Sequence, residues 1–287
     1  MKLDHLESFL AVARASGFRE ASKQIGTAQP TLSQHIRKLE QDLGVALLRR
    51  QNNGCELTDA GRILTGYAES LLATARQARR ALDQRSLTIG ASSNIGVYLL
   101  PEKIAAFRRH CPDLDLDLTI DDNLTIAGKL ARQEIDIALM EWWDARGGFT
   151  AAPWRRDELV LVVAPDHPWS QRQTIEADEL EGLSLLGGES ASGTGRLLQE
   201  KLGPLANTLQ VKIQLGSTEA VKRAVQAGLG ISIVMLASVR NEIHQGSLCA
   251  VRIANTVLQK QLFMVRGNHW PAHSAPVRLT QFLAGQQ

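Results

Sequence analysis

The segment TAQPTLSQHIRKLEQDLG, residues 27–44, gathers hydrogen-bonding side chains at helical spacing: Gln29, Thr31, Ser33, Gln34 and Arg37, with Pro30 among them. Amides, hydroxyls and a guanidinium are the groups that read base edges in a DNA groove and grip phosphates. Pro30 suits the first turn of a helix, where free backbone amides favour phosphate. Arg50 and Asn52 follow at a distance suited to the sugar–phosphate backbone. A solvated face on an ordinary bundle helix carries the same residue types, so the segment alone leaves both readings open.

A second set of small polar residues ends apolar runs farther along. GASSN supplies Ser92, Ser93 and Asn94, TIDDN supplies Asn123, and ALME supplies Glu141. GGESASGTGR brings Ser190, Ser192, Thr194 and Arg196 together, and LGST adds Ser217 and Thr218. Polar groups at strand ends beside helix starts suit a small ligand, although each alone also reads as a routine helix cap. Arg196 within a Gly/Ser/Thr loop fits an oxyanion. Glu141 opposes excess negative charge unless it pairs with Arg196 or accepts a ligand hydroxyl.

Other chemistries fail on spacing. GTGRLL has Leu198 where a dinucleotide fingerprint needs its third glycine, and no GxxxxGK[ST] loop occurs. GESAS closes on Ser192 rather than glycine, so no nucleophile elbow forms. His269 and His273 flank Pro271 without a carboxylate at ligand spacing, and no metal or other cofactor is expected. His35 reads as a flank contact on the recognition helix. Cys55, Cys111 and Cys249 show no CxxC spacing and read as reduced thiols.

Particular elements must position these groups. Leu6, Phe9, Leu10 and Ala13 mark a first helix, and residues 19–25 a second, ended by Gly26. The quoted segment is the third, with Leu32, Ile36, Leu39 and Leu43 on its apolar side. Two helices joined by a glycine turn form a helix-turn-helix, whose second helix enters the major groove. Asn53-Gly54 signals a hairpin, a wing carrying Arg49, Arg50 and Asn52. Thr58-Asp59 then caps a long helix in which Leu64, Ala68, Leu71, Ala75, Ala78 and Leu82 form a coiled-coil seam. From Leu87 onward, short β-rich runs alternate with helices near 95–110, 124–133, 194–202, 217–228 and 236–245. That alternation implies a mainly parallel, doubly wound α/β arrangement, and two such series imply two lobes.

Charge is distributed unevenly over the 287 residues. The net value is only +2, yet residues 1–85 hold 13 Lys and Arg against 9 Asp and Glu, while the remainder holds 19 against 21. A basic N-terminal third fits a polyanionic partner. Neither a secretion signal nor a membrane-spanning apolar run is present in the sequence, so a cytoplasmic location away from membranes is expected.

The stretch FLAVARASGFREASKQIGTAQPTLSQHIRKLEQDLGVALLRR…LTDAG resembles the N-terminal domain of LysR-type transcriptional regulators. Ala21, Gln29, Pro30, Ser33, Ile36, Leu39, Glu40, Leu43, Gly44, Leu47, Arg50, Leu57, Thr58, Ala60 and Gly61 fall in register with the family pattern. Ala28 departs from the family's usual Ser or Thr, with Thr27 one residue earlier as a substitute cap; Ser22 and Leu48 are further departures. The resemblance implies an α/β chain with an N-terminal winged helix-turn-helix at 1–57 and a linker and dimerisation helix at 58–86. It implies a two-lobed, periplasmic-binding-protein-like effector domain at 87–287, with lobe I at 87–161 and 267–287 and lobe II at 162–266. Gln29, Pro30, Thr31, Ser33, Gln34 and Arg37 would then face the groove, with Arg50 and Asn52 on the backbone. Ser92, Ser93, Asn94, Asn123, Glu141, Ser192, Thr194, Arg196, Ser217 and Thr218 would surround a small, anionic metabolite. Expected partners are double-stranded DNA, that effector, a second or further copies of the chain as dimer or tetramer, and the transcription machinery. The alternative is an α/β solute-binding or enzymatic module whose helical dimerisation domain never meets DNA; the winged register, charge split and polar helix face favour the regulator.

Overall fold

Leu6, Phe9, Leu10 and Val12 recur at helical spacing and wind helix α1 (Leu3–Ala15) onto the first core. Helix α2 (Phe18–Ile25) ends at Gly26, whose φ of 65° makes the tight turn into α3 (Gln29–Leu43). Leu32, Ile36 and Leu39 of α3 are buried against α1 and Ala21, whereas Leu43, expected on the same side, is 39% exposed. Strands β1 (Leu48–Gln51) and β2 (Gly54–Leu57) pair antiparallel as the wing, with Arg50 opposite Cys55. Glu40 anchors the wing to α3, its Oε1 accepting from the amides of Leu47 (2.8 Å) and Leu48 (3.2 Å).

Helix α4 (Asp59–Asp83) begins at Thr58, whose Oγ1 accepts from the Gly61 amide at 3.0 Å and donates to the Ala46 carbonyl at 2.7 Å. The expected seam on this helix divides. Leu64 and Ala68 pack with Leu72 into the winged-helix core, while Leu71, Ala78 and Leu82 are exposed along with Ile63 and Tyr67.

The computed structural model describes residues 1–287 apart from Ser16, Asn52, Asn53, Gln84, Ser190, Ala191, Gln286 and Gln287. Asn52 and Ser190 thus lie outside the described residues, as does the side chain of Arg50. Residues 1–82 with 132–134 form one unit, and 83–131 with 135–287 a second.

In the second unit β3 (Ser86–Ser92) leads through a π-helical turn (Ile95–Leu99) into α5 (Leu100–His110), then β4 (Asp115–Asp121), α6 (Asn123–Ala131) and β5 (Ile137–Met140). Strands β6 (Phe149–Val163), β7 (Thr174–Ile175) and β8 (Ser184–Gly187) precede α7 (Thr194–Leu202). Next come β9 (Gln210–Gln214), α8 (Thr218–Gln226), β10 (Ser232–Met235), α9 (Leu236–His244), β11 (Cys249–Ile253), β12 (Gln259–Gly267) and α10 (Ala275–Ala284). The main sheet runs β4-β3-β5-β12-β6-β11-β7, with β10 also on β6 and β8-β9 as a separate pair.

Two long strands pass through both lobes. Residues Phe149–Pro153 of β6 and Phe263–Gly267 of β12 pair with each other, and β12 also pairs with β5; from Leu159 onward β6 pairs with β10 and β11. The chain therefore exchanges lobes between 153 and 159 on β6, and between 259 and 263 on β12. Both crossings lie a few residues ahead of the expected 161/162 and 266/267. Because β6 and β12 run antiparallel to their neighbours, the sheet is mixed rather than mainly parallel. Ile126 and Leu130 of α6 cover one face of the first lobe against Ala138, Met140 and Val265. Val221, Val225 and Val239 of α8 and α9 cover Val160, Val162 and Val234 in the second. No helix among the described residues is long and apolar enough to cross a membrane.

Candidate functional site

The start of α3 is open. Ala28 precedes it without a side-chain cap, and Thr27 makes no capping bond in its stead, so the first-turn amides are unclaimed by side chains. Gln29, Pro30, Gln34 and Arg37 are exposed and Thr31 and Ser33 half-buried. Among the described residues, none of the five polar side chains on this face bonds to another protein group. Arg49 of the wing is exposed as well.

His35 behaves differently from its expected role as a flank contact. Its Nδ1 lies 2.7 Å from Ser8 Oγ and its ring centroid 4.9 Å from that of His5, so it fastens α3 to α1. Burial lowers the His5 pKa, and the positive neighbours His35, Lys2 and Lys38 lower it further against Asp42.

In the second unit a cavity of about 320 Å³ is lined by β8, the turn into α7, β9, α8 and β10 of the second lobe, with Asn94 the first lobe's contribution among the described residues. Of the ten expected effector residues, Asn94, Ser192, Thr194 and Thr218 line it. Asn94 spans the lobes: its Nδ2 donates to Glu141 Oε1 at 3.0 Å and its Oδ1 accepts from Thr218 Oγ1 at 2.7 Å. The helices α7 and α8 start at the cavity wall, at Thr194 and Thr218, and α7 has no side-chain cap. Gly193 turns the chain into α7 at φ 75°, and a Cβ there would sit 2.5 Å from Trp142 Cδ1. Only glycine fits that approach.

The other six do not line the cavity. Ser92 is fully buried on β3, its hydroxyl without a hydrogen-bond partner among the described residues. Ser93 Oγ donates to the Asp121 carbonyl at 3.1 Å. Asn123 braces Glu141, accepting from its amide at 2.9 Å and donating to the Trp142 carbonyl at 3.1 Å. Ser217 caps α8 by accepting from the Ala220 amide at 3.2 Å. Arg196 points away: it is 66% exposed, meets Asp144 at 3.2 Å and stacks over Trp142 at 5.0 Å. The Glu141–Arg196 pairing considered from sequence is therefore replaced by another.

That partner is Lys260, which sequence reasoning missed. Its Nζ donates to Glu141 Oε2 (2.7 Å), the Ser192 carbonyl (2.7 Å) and Thr194 Oγ1 (3.2 Å), with the two side chains only 5% and 1% exposed. One ammonium on the crossing strand β12 thus ties the end of β5 to the turn before α7. Glu189, also missed, lines the cavity. Burial raises its carboxyl pKa against a lowering hydrogen bond from Ser93, and the carboxylates of Glu141, Asp122 and Asp121 raise it further. A third missed group lies across the lobes. Tyr98 OH donates to Glu219 Oε1 at 2.7 Å, while buried Lys222 meets Glu219 at 2.6 Å and Glu242 at 2.7 Å. Burial opposes the Glu219 charge, but the hydrogen bonds from Lys222 and Tyr98 hold its carboxyl below the ordinary value. In sequence these residues carry no motif; the alternation of Lys260 with Leu262 and Met264 in β12 marked an inward lysine, the one legible sign.

Comparison with known proteins agrees with this fold. Residues 3–62 match the family model described as a bacterial regulatory helix-turn-helix protein of the lysR family, and residues 80–285 match the LysR substrate binding domain. A probable RuBisCO transcriptional regulator of Cyanidioschyzon merolae is 31% identical over 281 residues, covering 92% of this chain and 91% of its own. A putative HTH-type transcriptional regulator, PtxE of Stutzerimonas stutzeri, is 38% identical over 190 residues, covering 66% of this chain and 97% of its own. The crystal structure of CbnR, a LysR family transcriptional regulator, shares the fold at a TM-score of 0.70 and 22% identity, covering 99% of this chain and 98% of that one. The chain belongs to the LysR family of DNA-binding transcriptional regulators, with an N-terminal helix-turn-helix domain, a long helix and an effector-binding domain, and is not an enzyme.

Proposed function

We propose that this regulator reads its DNA site through the face Gln29–Arg37 and the wing, as a homo-oligomer, and that a small metabolite between the two lobes switches it. The observation that carries the reading is the α3 face, where amides, hydroxyls and a guanidinium stand unclaimed by protein beside an uncapped helix start. Such a face satisfies its hydrogen bonds on base edges and phosphates. Arg50 and Asn52 of the wing take the adjoining backbone. The exposed apolar residues Ile63, Tyr67, Leu71 and Leu82 on α4 suit a second copy of the chain, which would present two recognition helices to a two-fold site.

The cavity favours a metabolite with one acidic group and at least one donor. Two helix starts, at Thr194 and Thr218, stabilise negative charge, replacing Arg196 as the basis for that expectation. Glu189 and the Asn94–Thr218 bridge accept or exchange hydrogen bonds with hydroxyl or amine groups. Binding acts as a population shift between lobe arrangements, limited by the ligand's differential affinity for them, and reaches the DNA-binding unit through α4. The test is a thermal-shift screen of small cellular acids against the full chain, with each hit added to footprints on a selected operator. A hit that raises Tm and alters the footprint supports the reading. Hits that bind yet leave every footprint and affinity unchanged refute the switch.

A further inference from the structure

A second hollow, of about 610 Å³, lies on the other side of the turn that leads into α7. The two hollows share a wall, because Lys260 lines this groove while its Nζ holds Ser192 and Thr194, which line the cavity. Their charges are opposite. The groove gathers Arg156, Arg196, Lys201 and Lys260 against the carboxylates Glu141 and Glu200; the cavity has no Lys or Arg among its described lining residues, and one carboxylate, Glu189.

The groove cations are loosely committed. Arg156 donates from Nε to the neutral Gln261 Oε1 at 3.2 Å, and no carboxylate reaches it at ion-pair distance among the described residues. Arg196 and Lys201 are exposed and paired with exposed partners, Asp144 at 3.2 Å and the adjacent Glu200 at 2.8 Å. Exposed pairs of this kind are held weakly and exchange readily for a multivalent anion. Gly193, at the uncapped start of α7, borders the groove as well.

We infer that this groove is a second ligand site, distinct from the cavity at Asn94 and Thr218, and that it takes a small oxyanion of at least two charges, such as a phosphate-bearing metabolite. Arg156 and Arg196 supply forked donors from β6 and α7, and Lys201 a point charge. An anion seated there competes with Glu141 for Lys260 and so loosens the Ser192–Thr194 wall of the cavity. The two sites are then coupled, and any coupling in affinity is reciprocal.

Inorganic phosphate titrated into the full chain, with sodium chloride holding ionic strength constant, tests the site by calorimetry and thermal shift. Saturable binding is expected with phosphate and absent with chloride. Arg156→Gln and Lys201→Gln, both at exposed positions, should each weaken phosphate by about tenfold, the effect of one charge-assisted bond. Thr218→Val in the cavity and Arg37→Ala on the DNA face should leave phosphate binding unchanged. Three results overturn the inference: no saturable binding, binding indifferent to Arg156→Gln and Lys201→Gln, or binding lost instead in Thr218→Val or Arg37→Ala. Failure here leaves the proposed cavity ligand untouched, since that reading stands or falls on Thr218→Val with its own ligand.

Discussion

Replacing Lys260 by Met would strand the Glu141 carboxylate, which is 1% exposed and loses its 2.7 Å ammonium partner. Breaking a buried pair by removing one member costs about 3–5 kcal/mol, because the remaining charge is neither solvated nor paired. The Ser192 carbonyl and Thr194 hydroxyl lose a donor at the same time. For a domain of this size each 1 kcal/mol lowers Tm by about 2–4 °C, so the effector-domain transition should fall by roughly 6–20 °C. The double variant Lys260→Met/Glu141→Gln removes both charges of the pair, and should recover about 2 kcal/mol of the single-variant loss. Calorimetry of the full chain, read at the effector-domain transition in both variants, measures this directly. A fall of less than roughly 2 °C in the single variant, or a double variant no more stable than the single, would refute the idea that a desolvated charge pair ties the lobes together.

Ser33→Ala and Arg37→Ala should each weaken operator binding by about 1–3 kcal/mol with Tm unchanged; gel shifts at fixed salt check this, and a phosphate contact at Arg37 would lower the salt slope by about one. Gly61→Ala places a Cβ 2.2 Å from the Leu47 carbonyl oxygen, so the winged-helix unit should lose about 1–3 kcal/mol in denaturant unfolding. The folded His5 pKa lies below its ordinary 6.5, so the unfolded chain binds that proton more tightly. Stability from this source is complete above about pH 6.5 and falls as pH drops through that value toward the folded pKa. His5→Gln should flatten the decline in Tm between pH 7.5 and 5.5, a comparison of thermal melts at stepped pH.

Local patterning made the first unit legible. Leu32, Ile36 and Leu39 against Gln29, Ser33 and Arg37 define opposite helix faces without any tertiary information, and Gly26 and Asn53-Gly54 announce turns by backbone chemistry alone. Leu43 escaped the pattern because it sits at the last residue of α3, where the chain turns away from the core at Gly44. In the second unit, the apolar runs LTIGAS, IDIALM and ISIVM gave strands β3, β5 and β10, which are buried on both faces. The first half of β6 was hidden: PWRRDE contains a proline and four charges, and becomes a strand by pairing with β12. Helix α10 was missed despite a legible start at Ser274 and Pro276 with Leu279 and Leu283 four apart.

The cavity was half legible for a related reason. Asn94, Ser192, Thr194 and Thr218 stand beside helix starts, where small polar residues are expected from local sequence. Arg196 lies two residues into α7, and the helical rotation per residue turns its side chain onto Trp142 and Asp144 instead. Lys260 and Glu141 are 119 residues apart and meet only because β12 crosses between lobes. No spacing rule reaches that far.

The most direct test is a crystal structure of the full chain on its selected operator duplex. The account predicts α3 in the major groove, with Gln29, Ser33, Gln34 and Arg37 within hydrogen-bond distance of base edges or phosphates. Duplex held by another surface, with that face of α3 turned to solvent or to protein, would contradict it.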